Sequence, residues 1–370
     1  MHDLPVSTSR NTIGVAVADV TQKAAGTRPR LASLTAMRAF AAAAVFGYHM
    51  QLFGVAMMGS AVWFGYTGVS FFFVLSGFVL TYGAAPDRDR RRFYFRRFAR
   101  IYPSYALMLL VTFLAPFPER APRSVPGLAA TLALVQGWFP HNSAIVYAIN
   151  PPSWSLSCEA FFYAALPWVL PLLRRARRGT RAAIALGWFG ATAVAVVLGA
   201  VDPSWALVAF VNPLVRSGEF LAGAVLALAV NEGWRPPWSL GLFTLAAAAT
   251  AAALAPQTAP LPDVILDPAW LALIAMATRW ELEGRRSMLA WRPLVYAGEI
   301  SFCFYLVHQF ILLNLAALLG DGALTAGVAF VVAGFGAAVI HHGVELPCQG
   351  FLVSRAKVAR RGPERATVPP

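Results

Sequence analysis

The chain alternates long apolar blocks with short polar ones. The blocks are roughly 16–23 residues long, which is the length that spans a bilayer. They fall near 34–54, 62–82, 102–117, 158–173, 182–200, 207–230, 238–255, 264–279, 294–318 and 322–345. The ten-residue alternation of membrane strands is absent. Backbone inside lipid must also satisfy its own hydrogen bonds. The pattern therefore predicts an all-α integral membrane protein of about ten transmembrane helices. A further apolar stretch, 127–139, is short and runs into "PHNSAIVYAINPPSW". Taken alone it is a re-entrant segment, a surface segment or an eleventh span.

Charge decides among these. Basic clusters occur at 88–100 ("RDRRRFYFRRFAR"), 174–181 ("RRARRGTR"), 279–292 ("RWELEGRRSMLAWR") and 355–365. With ten spans and both termini cytoplasmic, every cluster obeys the positive-inside rule. An eleventh span at 127–139 would put the later clusters outside. The stretch 127–157 is therefore expected to be an ordered outer loop, with Arg120 and Arg123 as a small violation of the rule.

Composition agrees: 58% of residues are hydrophobic and 13% charged, against about 25% charged in a soluble domain. The mean hydropathy is +0.60. The net charge of +13 resides in inter-helix arginines and not in a basic stripe with interleaved aromatics, so nucleic acid is not an expected partner. Cys158, Cys303 and Cys348 have no metal-ligand spacing and are expected to pack as small apolar residues. No metal site is expected. Residues 1–30 and 351–370 read as polar and basic cytoplasmic tails.

Ionisable residues inside apolar blocks are costly and point to function. In "MRAFAAAAVFGYHM" (37–50), Arg38 and His49 stand eleven residues apart. On a helix that is about 20° past three full turns and about 16 Å along the axis. One face thus presents a fixed cation near the cytoplasm and a proton acceptor farther out. Gly68, Ser76 and Gly77 allow close helix approach. Arg96, Arg97 and Arg100 share a helix side that is expected to end at Pro103, and arginine forks suit phosphate groups. Ser301, Tyr305 and His308 share one face of the ninth block. Arg216 and Glu219 are spaced to pair with each other. Glu345 is expected to mark a helix end. No P-loop, GxSxG or HExxH pattern occurs.

Taken together, "MRAFAAAAVFGYHM", "GVSFFFVLSGFVLTY", "RRFARIYPSY", "NPPSWSLSCEAFFYAALP", "VRSGEFLAGAVLAL", "YAGEISFCFYLVHQFIL" and "VELP" resemble, in order, the landmarks of the membrane acyltransferase-3 family. The resemblance covers about 31–350. "SLTAMRAFAA" lacks the family's common Asp-Gly pair, and Phe302 stands where tyrosine is frequent. The resemblance implies a membrane acyltransferase domain in the bacterial plasma membrane. Its donor substrate would be acyl-CoA, often acetyl-CoA, and no permanently bound cofactor is implied. The acceptor would be a hydroxyl on a sugar, a glycan or a glycosylated, macrolide-type natural product. Some members add a C-terminal esterase-like domain, for which this chain is expected to be too short.

Acyl transfer to a hydroxyl requires a base, a polarised thioester and a hold on coenzyme A. His49 is expected to be the general base, with an acyl-histidine intermediate as the alternative. Glu159, expected at the outer side, would orient His49 as the carboxylate of a triad does. Arg38, Arg97 and Arg100 would receive the phosphates of coenzyme A. Trp154 and Ser155 would line the acceptor pocket, although an interfacial anchor is an equal reading for the tryptophan. Tyr305 and His308 would face the substrate, His308 either near the thioester or as a structural partner. The rival readings are a transporter or flippase, and a translocator that passes acyl groups outward.

Overall fold

A computed structural model describes residues 30–84, 89–115, 122–254 and 262–358. Among these, all regular structure is helical. Helix α1 runs Ala32–Leu52. A 3-10 turn at Ser60–Thr67 leads into α2, Gly68–Tyr82. Helix α3 is Arg90–Leu114, followed by two short helices, α4 (Val125–Leu132) and α5 (Ser143–Val146). Then come α6 (Trp154–Arg175), α7 (Arg178–Val201), α8 (Pro203–Val211) and α9 (Pro213–Asn231). Helices α10 (Trp238–Leu254), α11 (Pro262–Leu282), α12 (Arg292–Leu319) and α13 (Ala323–Ile340) follow. A π-turn at His341–Glu345 carries α13 into α14, Leu346–Val358.

Among the described residues, six helical stretches are long and apolar enough to cross a bilayer: Val62–Tyr82, Pro151–Arg175, Arg178–Val201, Pro213–Asn231, Arg292–Leu319 and Ala323–Ser354. Helices α1 and α3 have the length but also carry Arg38, His49 and the arginines of 90–100. The groups that form the site lower their apolar character.

Several expected boundaries are corrected. The block 207–230 is two helices, because Asn212 leaves the helix and caps α9, accepting from Leu214 N at 3.0 Å, with Pro213 in the first turn. Helix α3 starts twelve residues before its expected apolar block and runs through Pro103; in a bundle, neighbouring helices compensate the lost hydrogen bond. Residues 351–358 continue α14 and are not tail. The remaining tail residues, 1–29 and 359–370, lie outside the described residues, as does Arg120. The segment 127–139 does not span: α4 has only 8 residues, about 12 Å of helix.

The basic loops meet at one end of the bundle. Arg30 pairs with Glu299 at 2.9 Å, and the Glu281 carboxylate accepts from the N–H groups of Ala32 and Ser33. Arg174 donates to Ala84 O at 2.7 Å, and Arg279 donates to Pro236 O at 2.6 Å. Arg178 and Arg181 both grip Glu232, and these arginines hold its carboxyl below the usual carboxylate range. At the opposite end Gly322 N donates to Val55 O at 2.6 Å. There Arg123 donates to Ala115 O at 2.8 Å and so satisfies the C-terminus of α3. Arg123 on the outer loop is thus a helix cap.

Two close crossings fix the centre. A Cβ on Gly77 would overlap the carbonyl of Phe220, and one on Gly223 the carbonyl of Val74, so α2 and α9 touch backbone to backbone. Beside them Arg216 and Glu219 pair at 3.0 Å, with side chains 1% and 0% exposed. Arg216 also donates to Ser70 Oγ at 2.9 Å. A Cβ on Gly298 would likewise overlap the Thr35 carbonyl, which seats α12 on α1.

Candidate active site

Two cavities open into the bundle from its opposite ends. The one at the arginine end, called inner for that reason alone, has a volume of about 620 Å³. The outer one has a volume of about 360 Å³. Arg38 lines the inner cavity and His49 the outer one. Both therefore lie on the face of α1 that helical spacing assigns them.

Arg97 and Arg100 of α3 join Arg38 in the inner cavity. Nε of Arg38 is buried and meets no acceptor among the described residues. Glu159 lies here as well. It accepts from Tyr163 Oη at 2.9 Å and from Ser76 Oγ at 3.5 Å. This corrects the expectation that Glu159 stands at the outer side against His49. Helix α6 starts at Trp154, after a 3-10 turn at Pro151–Ser153. Glu159 is thus five residues in, about 7.5 Å deeper and about 140° around from Trp154.

The partner of His49 is His308. Nδ1 of His308 lies 2.7 Å from Tyr305 O. A carbonyl only accepts, so this nitrogen carries the proton and Nε2 of His308 is a bare acceptor. Nδ1 of His49 lies 2.9 Å from Val45 O and 3.2 Å from that Nε2. By the same logic Nδ1 of His49 is protonated and bonds both acceptors. Its Nε2 is then the unprotonated nitrogen. Phe304 stacks on His308 at 6.0 Å and fixes the ring.

Trp154 and Tyr305 line the outer cavity. Ser155 is 5% exposed and sits behind Tyr305, 2.9 Å from its hydroxyl. Tyr305 donates to Pro152 O at 2.7 Å. His308, 1% exposed, backs His49 and does not line either cavity. Sequence reasoning missed Tyr48, Tyr66, Tyr147 and Phe210, which complete an aromatic wall. Tyr147 belongs to the outer loop, which Asn150 ties to α12 through Leu306 O at 3.1 Å. Burial pushes its phenol up to about 12, so it remains a donor at neutral pH. Tyr163 was also missed, although its i+4 spacing from Glu159 was a visible signal.

Glu345 does not end a helix: it sits in the π-turn inside one continuous rod. It accepts from His341 Nδ1 at 2.8 Å and from Cys303 Sγ at 3.3 Å. The donor atoms of these three lie within 4.8 Å of one another, a spacing a small metal ion accepts. Here they satisfy each other, and His341 and Glu345 line the cavity that also holds the Arg38 and Arg100 side chains. Cys303 is thus more than a packer, whereas buried Cys158 only donates to Val211 O at 3.4 Å.

The arrangement is a histidine pair, His49 against His308, at an aromatic cavity, with an arginine-lined cavity toward the other end of the bundle. The family model described as "Acyltransferase domain" matches residues 31–342. An acyltransferase, MdmB of Streptomyces mycarofaciens, is 34% identical over 91% of this chain and 96% of its own length. A putative peptidoglycan O-acetyltransferase, YrhL of Bacillus subtilis, is 30% identical over 53% of this chain and 32% of its own. The O-acetyltransferase OatA of Staphylococcus aureus is 29% identical over 39% of this chain and 25% of its own. No solved structure matches. The match covers most of the chain, including the helices that carry Arg38, His49 and His308, so the chain belongs to the membrane acyltransferase-3 family and is an O-acyltransferase.

Proposed function

We propose that the protein moves an acetyl group from acetyl-CoA in the inner cavity to a hydroxyl in the outer cavity. The acceptor is a sugar, a glycan or a glycosylated, macrolide-type natural product. His49 Nε2 is the general base. In this reading the ten helical blocks all cross the plasma membrane, with both termini and the arginine end cytoplasmic.

One observation carries the reading: Arg38 and His49 project from a single helix face into two different cavities. Coenzyme A is an anionic head on a thin arm about as long as the gap between them. Its phosphates match Arg38, Arg97 and Arg100, and the unsatisfied Arg38 Nε offers a donor for one of them. Glu159 and Tyr163 line the same cavity and set a carboxyl and a phenol among these cations. The aromatic wall of Tyr48, Tyr66, Tyr147 and Trp154 suits the apolar faces of a sugar ring, and the phenols suit its hydroxyls.

The acceptor O–H gives its proton to His49 Nε2 as the oxygen attacks the thioester carbonyl carbon. The tetrahedral adduct then breaks its C–S bond. The departing thiolate takes the same proton from His49. Between these steps His49 is an imidazolium whose Nδ1–H is shared between Val45 O and the bare Nε2 of His308. That bond strengthens as the charge forms, as the bond to the third member of a triad does.

The test is coenzyme A release by protein purified in detergent and given labelled acetyl-CoA and a panel of sugar and macrolide acceptors. Wild type should release it in the presence of one acceptor class. Folded His49→Ala should not. No turnover or binding of any acyl-CoA by wild type would overturn the donor assignment and favour a transport path.

A further inference from the structure

The two cavities share no lining residue, and the surface between them is aromatic. Along α2 the lining changes from Val69 in the outer cavity to Phe72 in the inner one. Along α12 it changes from Tyr305 to Phe302. Phe72 and Tyr305 meet edge to face, with ring centroids 6.4 Å apart. Tyr305 is 8% exposed and fixed by hydrogen bonds to Ser155 and Pro152. Phe72 has no polar anchor and is half-buried, its ring turned to the inner cavity under Arg38, whose guanidinium carbon lies 5.9 Å from the ring centroid.

We infer that Phe72 is the movable half of a partition between donor cavity and base, and that the opening it leaves against Tyr305 sets the size of the acyl group that reaches His49. The inference rests on the acyl-CoA reading above. In that reading a thioester held by Arg38, Arg97 and Arg100 approaches His49 between these two rings, where the linings of the two cavities come together along α2 and α12. The fixed ring is tied at its hydroxyl, so the free ring must turn. A phenyl that swings on χ1 and χ2 inside a packed bundle clears a narrow gap, enough for an acetyl group and tight for a longer chain. Each methylene that must be squeezed past or excluded is worth about tenfold or more in turnover.

The test compares acetyl-, butyryl- and hexanoyl-CoA with wild type, Phe72→Leu, Phe72→Ala and Phe72→Trp, reading kcat/KM for thiol release with a responding acceptor. Wild type should prefer acetyl. Phe72→Ala should raise the butyryl-to-acetyl ratio by about tenfold or more, Phe72→Leu by less, and Phe72→Trp should lower all rates. Equal ratios in wild type, Phe72→Leu and Phe72→Ala would overturn the inference while leaving the donor reading standing. Absence of any thiol release in wild type would remove both.

A second readout needs no acyl-CoA. Val69→Cys in oriented proteoliposomes is challenged from the arginine side with a charged, membrane-impermeant thiol reagent. Labelling is read by mass spectrometry of the peptide carrying residue 69. Little labelling in Val69→Cys and strong labelling in Val69→Cys with Phe72→Ala is the expected result. Equal labelling in both means that the partition is not closed by Phe72 and overturns the inference.

Discussion

Nε2 of His308 lies 3.2 Å from Nδ1 of His49 and is the nitrogen free to accept, because the other ring nitrogen of His308 is committed to Tyr305 O at 2.7 Å. The pair therefore has one polarity. His49 can take a proton at Nε2, and His308 then receives the stronger bond from Nδ1.

His49→Ala should lower acyl transfer by about 10²–10⁴-fold, the usual worth of a general base, with little change in the KM for acyl-CoA. A variant that binds acyl-CoA normally and still turns over at the wild-type rate would remove His49 as the base.

His308 should show a conservative rescue. His308→Gln keeps an acceptor oxygen for His49 Nδ1, and His308→Phe fills the space without one. If His308 acts through that hydrogen bond, kcat for the Gln variant should exceed that of the Phe variant by about tenfold, the worth of a charge-assisted hydrogen bond. Equal losses would make His308 a packing residue.

Arg97→Ala and Arg100→Ala should each raise the KM for acyl-CoA by about tenfold or more, with kcat less affected. A charge-assisted hydrogen bond contributes about 1.5–3 kcal/mol, and phosphate binding precedes the chemistry. Lysine at either position should recover part of the loss, because charge survives while the fork does not. Titration of non-hydrolysable acyl-CoA at two salt concentrations checks the charge component.

Which features were legible follows from how far each depends on distant contacts. Arg38 and His49 were readable because helical spacing alone puts them on one face, and Arg216 with Glu219 because three residues make one turn. The order of most helical stretches followed from apolar length. The break at Asn212–Pro213 had a local signal, a capping side chain before a proline, that an unbroken apolar block masked. Glu159 was misplaced because its depth and direction depend on where α6 begins, and tertiary bonds such as Gln136 Nε2 to Ser153 O at 2.8 Å set that point. The pairing of His49 with His308 joins positions 259 residues apart, and no periodicity reports on it. The partition between the cavities belongs to two helices at once and is visible only when they are packed.

The Glu232 junction gives a pH prediction whose sign can be worked out. Hydrogen bonds from Arg181 and Arg178 hold the Glu232 carboxyl below its ordinary value. A group with a lowered folded-state pKa stabilises the fold above its unfolded value and loses that contribution as pH falls through the folded value. Glu232→Gln should therefore lower the detergent melting temperature at pH 7. The difference from wild type should shrink as pH falls through and below the carboxylate range near 4. A difference that persists at pH 3 would assign the effect to packing and not to charge.

The buried pair at the α2–α9 crossing separates stability from catalysis. Arg216 and Glu219 are almost fully buried and touch neither cavity. Arg216→Met leaves a buried carboxylate without its partner and should cost about 3–5 kcal/mol. The double variant Arg216→Met with Glu219→Leu removes both charges and should recover much of that cost, because a buried ion pair repays its desolvation only when complete. Thermal denaturation of the two variants in detergent measures the difference, and coenzyme A release at a temperature where both are folded checks the other half. Folded double variant should retain acyl transfer, since Gly77 and Gly223 still set the helix spacing that places Phe72 and Ser76 at the inner cavity. If the double variant is folded and inactive, the pair takes part in the chemistry, and a purely structural role for Arg216 and Glu219 is wrong.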